Sequence, residues 1–188
     1  MAWEALHLDP VFDWILRPAL AGLFASAALH KIRDLSDFVR TIADYKIIPR
    51  ALAPSLALGL IGAEGMISIG LILGLVTAEP GAGLAAAGLL ALYTLAIAVN
   101  LLRGRKEIDC GCLGPKARRQ TLSGWLIVRN AILGSGALLT SLPLSSRSLA
   151  VLDSVSILGG LILVTLIFNA ANWLASLQPL FPNQESVS

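Results

Sequence analysis

Charge is scarce in this sequence: only 14% of its 188 residues are Asp, Glu, Lys or Arg, where a soluble domain carries about a quarter. A chain so poor in charge cannot keep a globular surface wet, which excludes an ordinary soluble enzyme or binding domain. Cysteine and histidine are equally thin, with two of each. Two cysteines cannot build a disulfide-rich scaffold, and they supply half of a tetrahedral zinc set. No glycine-rich nucleotide-binding pattern and no serine-type triad can be traced. The net charge of +2 is too small for a nucleic-acid surface. The chain also lacks an internal repeat and any interrupted apolar run of the kind that builds a midplane transport site, which counts against a small-solute transporter.

What is abundant is apolar length. Hydrophobic residues make up 56% of the chain and mean hydropathy is +0.77. A helix needs roughly 20 mostly apolar residues to cross about 30 Å of hydrocarbon. Five runs approach that length: Phe12 to Leu29, Leu52 to Val76, Ala82 to Leu102, Leu122 to Leu142 and Val155 to Leu177. They are continuous rather than alternating, and backbone in lipid must satisfy its own hydrogen bonds, so helices are expected rather than a barrel. The expected fold is all-α: a polytopic transmembrane helical bundle of about five spans, or four with one interfacial helix, forming one integral membrane domain over 1–188. Ala25-Ser26-Ala27 looks like a signal-peptide cleavage site, but the residues before it include Glu4, Asp9 and Asp13 instead of a positive stretch, so the first run is read as a retained span.

Basic residues gather in two loops. One holds Lys31, Arg33, Arg40, Lys46 and Arg50; the other, 103–120, holds Arg103, Arg105, Lys106, Lys116, Arg118 and Arg119. With five spans both fall on one side, which the positive-inside rule makes cytoplasmic, leaving the N-terminus periplasmic. Within the first loop, Leu35, Phe38, Val39 and Ile42 recur at helical spacing, so an interfacial helix is expected over about 34–45, ended before Pro49. Arg17, near the outer end of its span, is read as snorkelling to the surface.

Two features carry candidate chemistry. Cys110 and Cys112 sit one residue apart in Asp109-Cys110-Gly111-Cys112-Leu113-Gly114-Pro115, beside the membrane surface. Gly111 tolerates the backbone angles of a small disulfide ring, and a strained ring is oxidising and exchanges readily, which suits a redox pair. The basic side chains of the loop favour the reactive thiolate, with Asp109 opposing them. Two incidental cysteines in a glycine-rich turn, or half of a metal site completed by another chain, remain as alternatives. The second feature is intramembrane polarity. Glu64 lies near the middle of the second run; Arg129, beside Asn130, lies near the middle of the fourth, at similar depth. A carboxylate there costs a few kcal/mol and needs a partner, so Glu64 and Arg129 are expected to pair across the bundle. Gly70-Leu71-Ile72-Leu73-Gly74 and Gly134-Ser135-Gly136 read as close helix contacts, Asn100, Asn169 and Asn172 as interhelical hydrogen bonders, and Trp125 and Trp173 as interfacial anchors.

The Asp109-Cys110-Gly111-Cys112-Leu113-Gly114 stretch, with Arg129-Asn130, Glu64 and the His30 to Pro49 segment, resembles the MauE family of methylamine utilisation proteins, within a wider DoxX-like, redox-associated group of membrane proteins. Leu113 departs from the Phe expected there. The resemblance spans nearly the whole chain. It implies a multi-pass protein of the cell inner membrane that serves maturation of methylamine dehydrogenase, through processing, transport or disulfide formation of its small β subunit. It implies as partners that subunit, the thioredoxin-like MauD and other methylamine-utilisation membrane proteins, with no nucleic acid. A thiol–disulfide relay through Cys110 and Cys112 is the expected mechanism, and a non-catalytic scaffold with structural cysteines the alternative. No cofactor or metal is expected, and the sequence leaves quinone or haem open.

Overall fold

The computed structural model describes residues 7–104 and 124–177. Among them the elements in order are α1 (Pro10–Arg33), α2 (Leu35–Asp44), a 3-10 turn (Arg50–Leu52), α3 (Ala53–Thr77), α4 (Gly81–Leu102), α5 (Gly124–Leu139) and α6 (Val151–Leu177), with no named strand. The chain is an all-α polytopic bundle. Four of these segments, α1, the turn with α3, α4 and α6, are long and apolar enough to cross a membrane; α5 is apolar but shorter.

Each helix begins and ends for a local reason. The Asp9 side chain accepts the Val11 amide at 2.9 Å, and Pro10 takes the first helical position, where its missing N–H costs nothing. The α1 helix runs on to Arg33, beyond the apolar run that ends at Leu29, because Lys31 and Arg33 interrupt hydropathy without interrupting helix. Its last turn carries His30, Lys31 and Arg33, cations at the negative end of the helix dipole. Likewise α6 starts at Val151, ahead of the apolar run at Val155, where Asp153 accepts the Ala150 amide at 2.7 Å. Before α5 could continue to Leu142 the chain departs: the Pro143 carbonyl accepts from the Leu8 amide at 2.9 Å, and Ser145 N–H donates to the Leu8 carbonyl at 2.9 Å.

The bundle core lies between α1, α3, α4 and α5, where Leu20, Phe24, Ile67, Leu71, Leu89 and Ala137 are buried together. α2 lies across one end, its Phe38 buried against Ala57 and Ile61 of α3 while Asp37 and Arg40 face out. By contrast α6 packs on α1 and none of its most hydrophobic stretch is buried. Large apolar side chains point outward around the bundle, as a lipid-facing surface requires and an aqueous one forbids. This is a multi-pass membrane protein.

Small residues set the helix separations, though at positions only partly foreseen. Gly70 stands 3.0 Å from the Ala82 Cβ of α4, measured from where its own Cβ would be, and Gly74 makes room for Arg17. Gly134 has no such neighbour; the tight approach of α4 to α5 is at Gly83, where a Cβ would lie 2.8 Å from the Ala137 carbonyl. Residues 7–9, 77–81 and 140–153 meet at one end of the bundle. The opposite end bears Lys46, whose carbonyl accepts from Arg103 at 3.4 Å, so the described parts of the two basic loops share that end.

Candidate functional site

A buried polar cluster forms around Glu64, which is 1% exposed at the middle of α3. Its partner is Lys31 and not Arg129. Lys31 Nζ pairs with Glu64 Oε1, and the Tyr93 hydroxyl of α4 donates to the same oxygen at 2.8 Å while accepting from Lys31 at 3.2 Å. The ammonium also lies 4.9 Å from the ring centroids of both Phe38 and Tyr93. Lys31 is near the end of α1, where a loop position would put it in water. Helical side chains lean toward the N-terminus of their own helix, so this long stem runs back into the bundle instead of out to the headgroups. One ion pair therefore ties α1 to α3, with α4 and α2 contributing rings and a hydroxyl. Oε2 of Glu64 has no hydrogen-bond partner.

The similar depth expected from sequence did not pair Glu64 with Arg129, because the two helices face different neighbours. α3 packs mainly on α1, whereas α5 packs on α4. Arg129 turns instead toward α6, with Nη1 3.3 Å from Asn172 Oδ1 and Nη2 3.5 Å from the Oδ1 of Asn130, its buried neighbour in sequence. Of the three asparagines expected to bond between helices, Asn172 does so; Asn100 and Asn169 donate to carbonyls of their own helices.

A second buried pair lies at the other end of α1. Arg17 does not snorkel; it is 1% exposed. Its Nε donates to both Asp13 oxygens, at 2.8 and 2.9 Å, Nη2 to the Thr140 carbonyl at 2.8 Å and Nη1 to the Glu79 carbonyl at 3.1 Å. Those carbonyls close the ends of α5 and α3, where helices leave acceptors unsatisfied and the dipole is negative. A guanidinium is the group that meets both demands at once. The sequence signal for both pairs was available: Asp13, Arg17, Phe24, Ala28 and Lys31 fall on one buried face of α1.

Outside that buried end, Arg147 bridges the starts of α1 and α6, reaching Asp9 at 3.0 Å and Asp153 at 2.9 Å. The Arg147 hydrogen bond, and after it the Val11 amide, hold the Asp9 carboxyl below its usual value, while Asp9 and then Asp153 raise Arg147. A lowered carboxylate contributes its stabilisation above the unfolded-state value, near 3.9, and loses it as pH falls through the folded one. Protection of the Leu8 and Ser145 amides, taken as exchange relative to the unfolded chain at the same pH, is therefore expected to hold from pH 7 to about 5 and to fall below about pH 4. Equal protection at pH 7 and pH 3 would remove Asp9 from that contact.

Cys110 and Cys112 lie outside the described residues. Among the described ones, no three His, Cys, Asp or Glu side chains gather as a metal ion would require.

Comparison with known proteins gives a consistent picture. The profile of the family described as methylamine utilisation protein MauE matches residues 9–143. Methylamine utilization protein MauE of Paracoccus versutus is 37% identical over 185 residues, covering 95% of each chain. The protein of that name from Paracoccus denitrificans is 37% identical over 131 residues, 70% of this chain and 69% of its own. In Methylophilus methylotrophus the identity is 28% over 170 residues, covering 90% and 88%. No solved structure matches the chain.

Proposed function

This chain belongs to the MauE family of methylamine utilisation proteins, and on that premise we propose that it is a thiol–disulfide relay in the cell inner membrane, serving maturation of the methylamine dehydrogenase β subunit. The observation that carries the reading is the cysteine pair itself. The chain's two cysteines are one residue apart, in the connection between two helices of a membrane bundle, with Gly111 between them and basic residues on both sides. No other thiol competes with them.

In the reaction, the thiolate of one cysteine attacks a disulfide of a periplasmic partner and forms a mixed disulfide. The second thiol displaces it, leaving the partner with two thiols and this chain with a Cys110–Cys112 disulfide. Two electrons and two protons pass to the partner, a thioredoxin-like isomerase whose restored thiols can then reshuffle the disulfides of the β subunit. A dithiol of the thioredoxin class then returns the pair to its reduced form by the same exchange in reverse. The partners that fit are the β subunit and MauD, with the other methylamine-utilisation membrane proteins around them. The basic loops are assigned to the cytoplasm by charge, so the pair must serve donors and acceptors on different faces in turn. The Lys31–Glu64–Tyr93 cluster supports this by holding α4, which leads into the cysteine connection, on α1 and α3.

Replacing Cys110 and Cys112 together by Ser is expected to abolish accumulation of mature, disulfide-bonded β subunit while this protein still reaches the membrane. Mature dehydrogenase at the wild-type level would sink the relay and leave a scaffold. Single-cysteine variants should be labelled by an impermeant thiol reagent from both sides of the membrane; labelling from the cytoplasm alone would refute turnover between faces.

A further inference from the structure

Once Glu64 is paired with Lys31, Arg129 is left as a half-buried guanidinium with no acid beside it among the described residues. α4 and α5 contain no acidic residue, and the one on α6, Asp153, is at the opposite end on Arg147. The bonds of Arg129 are to two neutral amide oxygens at 3.3 and 3.5 Å, long for a cation, and its Nε is buried without any acceptor. One turn earlier on the same helix face, the indole Nε1 of Trp125 is also buried with no acceptor. Both groups only donate. The residues of α5 between and beyond them, Val128 and Ile132, are exposed at 49% and 63%, and Trp173 beside Asn172 on α6 at 65%. α5 packs on α4 rather than α6, so the groove that Arg129 bridges opens to lipid. Side chains on α5 lean toward its N-terminus, the end that bears Arg103 and Lys46.

We propose that this groove between α5 and α6 binds the phosphate of an anionic phospholipid, with Arg129 and the Trp125 N–H as its donors. A phosphate oxygen is acceptor-only and negative, which answers both deficits; a neutral carbonyl would answer the N–H groups and leave the charge. Basic recesses between membrane helices recognise lipid headgroups in this way.

The test uses the full chain in nanodiscs of phosphatidylcholine with and without phosphatidylglycerol, read by native mass spectrometry and by thermal unfolding. The wild type should retain phosphatidylglycerol over phosphatidylcholine and melt higher in its presence. Arg129→Gln should weaken that retention by about tenfold or more, and Trp125→Phe by a smaller factor, as expected for losing charge-assisted and neutral hydrogen bonds. In phosphatidylcholine alone, Arg129→Gln should be at least as stable as the wild type, since no acid is orphaned; a purely structural arginine would lose stability in both lipids. Arg103→Gln, on the surface at the same end, should keep the preference. Equal retention by wild type and Arg129→Gln overturns the proposal. So does a neutral quinone in place of lipid, or inorganic phosphate reproducing the whole stabilisation in phosphatidylcholine, which would assign the site to a soluble anion.

Discussion

Glu64→Gln should destabilise the bundle by about 3–5 kcal/mol, because it leaves the Lys31 ammonium buried without its counter-charge. Lys31→Met should cost a similar amount by orphaning the carboxylate. The double substitution Lys31→Met with Glu64→Leu should recover most of the loss, to within about 1–2 kcal/mol of wild type, since a buried ion pair exchanged for apolar side chains of similar size is often near neutral. Tyr93→Phe removes one hydrogen bond from the shared oxygen and should cost only about 1 kcal/mol. Thermal unfolding of the purified variants in one detergent gives all four values. The decisive comparison is a double-mutant cycle. Lys31 and Glu64 should couple by several kcal/mol, whereas Glu64 and Arg129 should be additive to within about 0.5 kcal/mol, as separated sites without shared partners are. Strong coupling of Glu64 to Arg129 would contradict the arrangement described above.

That contrast shows what sequence reading reached. The helical bundle was legible because lipid imposes one demand, continuous apolar length, that no other context disguises. The α2 helix was legible for the same kind of reason: Phe38 and its neighbours repeat at the helical period beside a polar face. The partner of Glu64 was not. Depth follows from residue number along a helix, but pairing also needs the rotation of each helix about its axis, and that is set by packing with every other helix. Hydropathy also assigned Lys31 and Arg17 to water by their charge, although both sit on the face of α1 that carries Leu20 and Phe24. On a helical wheel of α1 two cations fall on the buried stripe, which raises the question of their acids. Asp13, four residues before Arg17, answers it from sequence alone; Glu64, far along the chain, does not. The cysteine pair lies outside the described residues.

The largest effect at the other end of the bundle should come from Arg17→Met. It would strand the Asp13 carboxylate, which is 1% exposed, and take the donor from the Thr140 and Glu79 carbonyls. Losing one partner of a buried pair costs about 3–5 kcal/mol, and the two carbonyls add to this unless water enters. Arg17→Lys keeps the charge but offers a point instead of a planar fork, so it should serve Asp13 and lose at least one carbonyl, for about 1–3 kcal/mol. Gly74 supplies an independent check. A Cβ there would fall on Arg17 Nη1, the atom that reaches Glu79, so Gly74→Ala should push the guanidinium aside and cost about 1–3 kcal/mol. In an Arg17→Met background, whose flexible side chain can yield, Gly74→Ala should be close to neutral. Amide exchange should rise in 77–81 and 140–143 in each single variant, since those turns are what Arg17 ties to α1. If Gly74→Ala cost the same with and without Arg17, the contact between them would not be what limits that glycine, and the clamp would have to be sought in Asp13 and Thr140 alone.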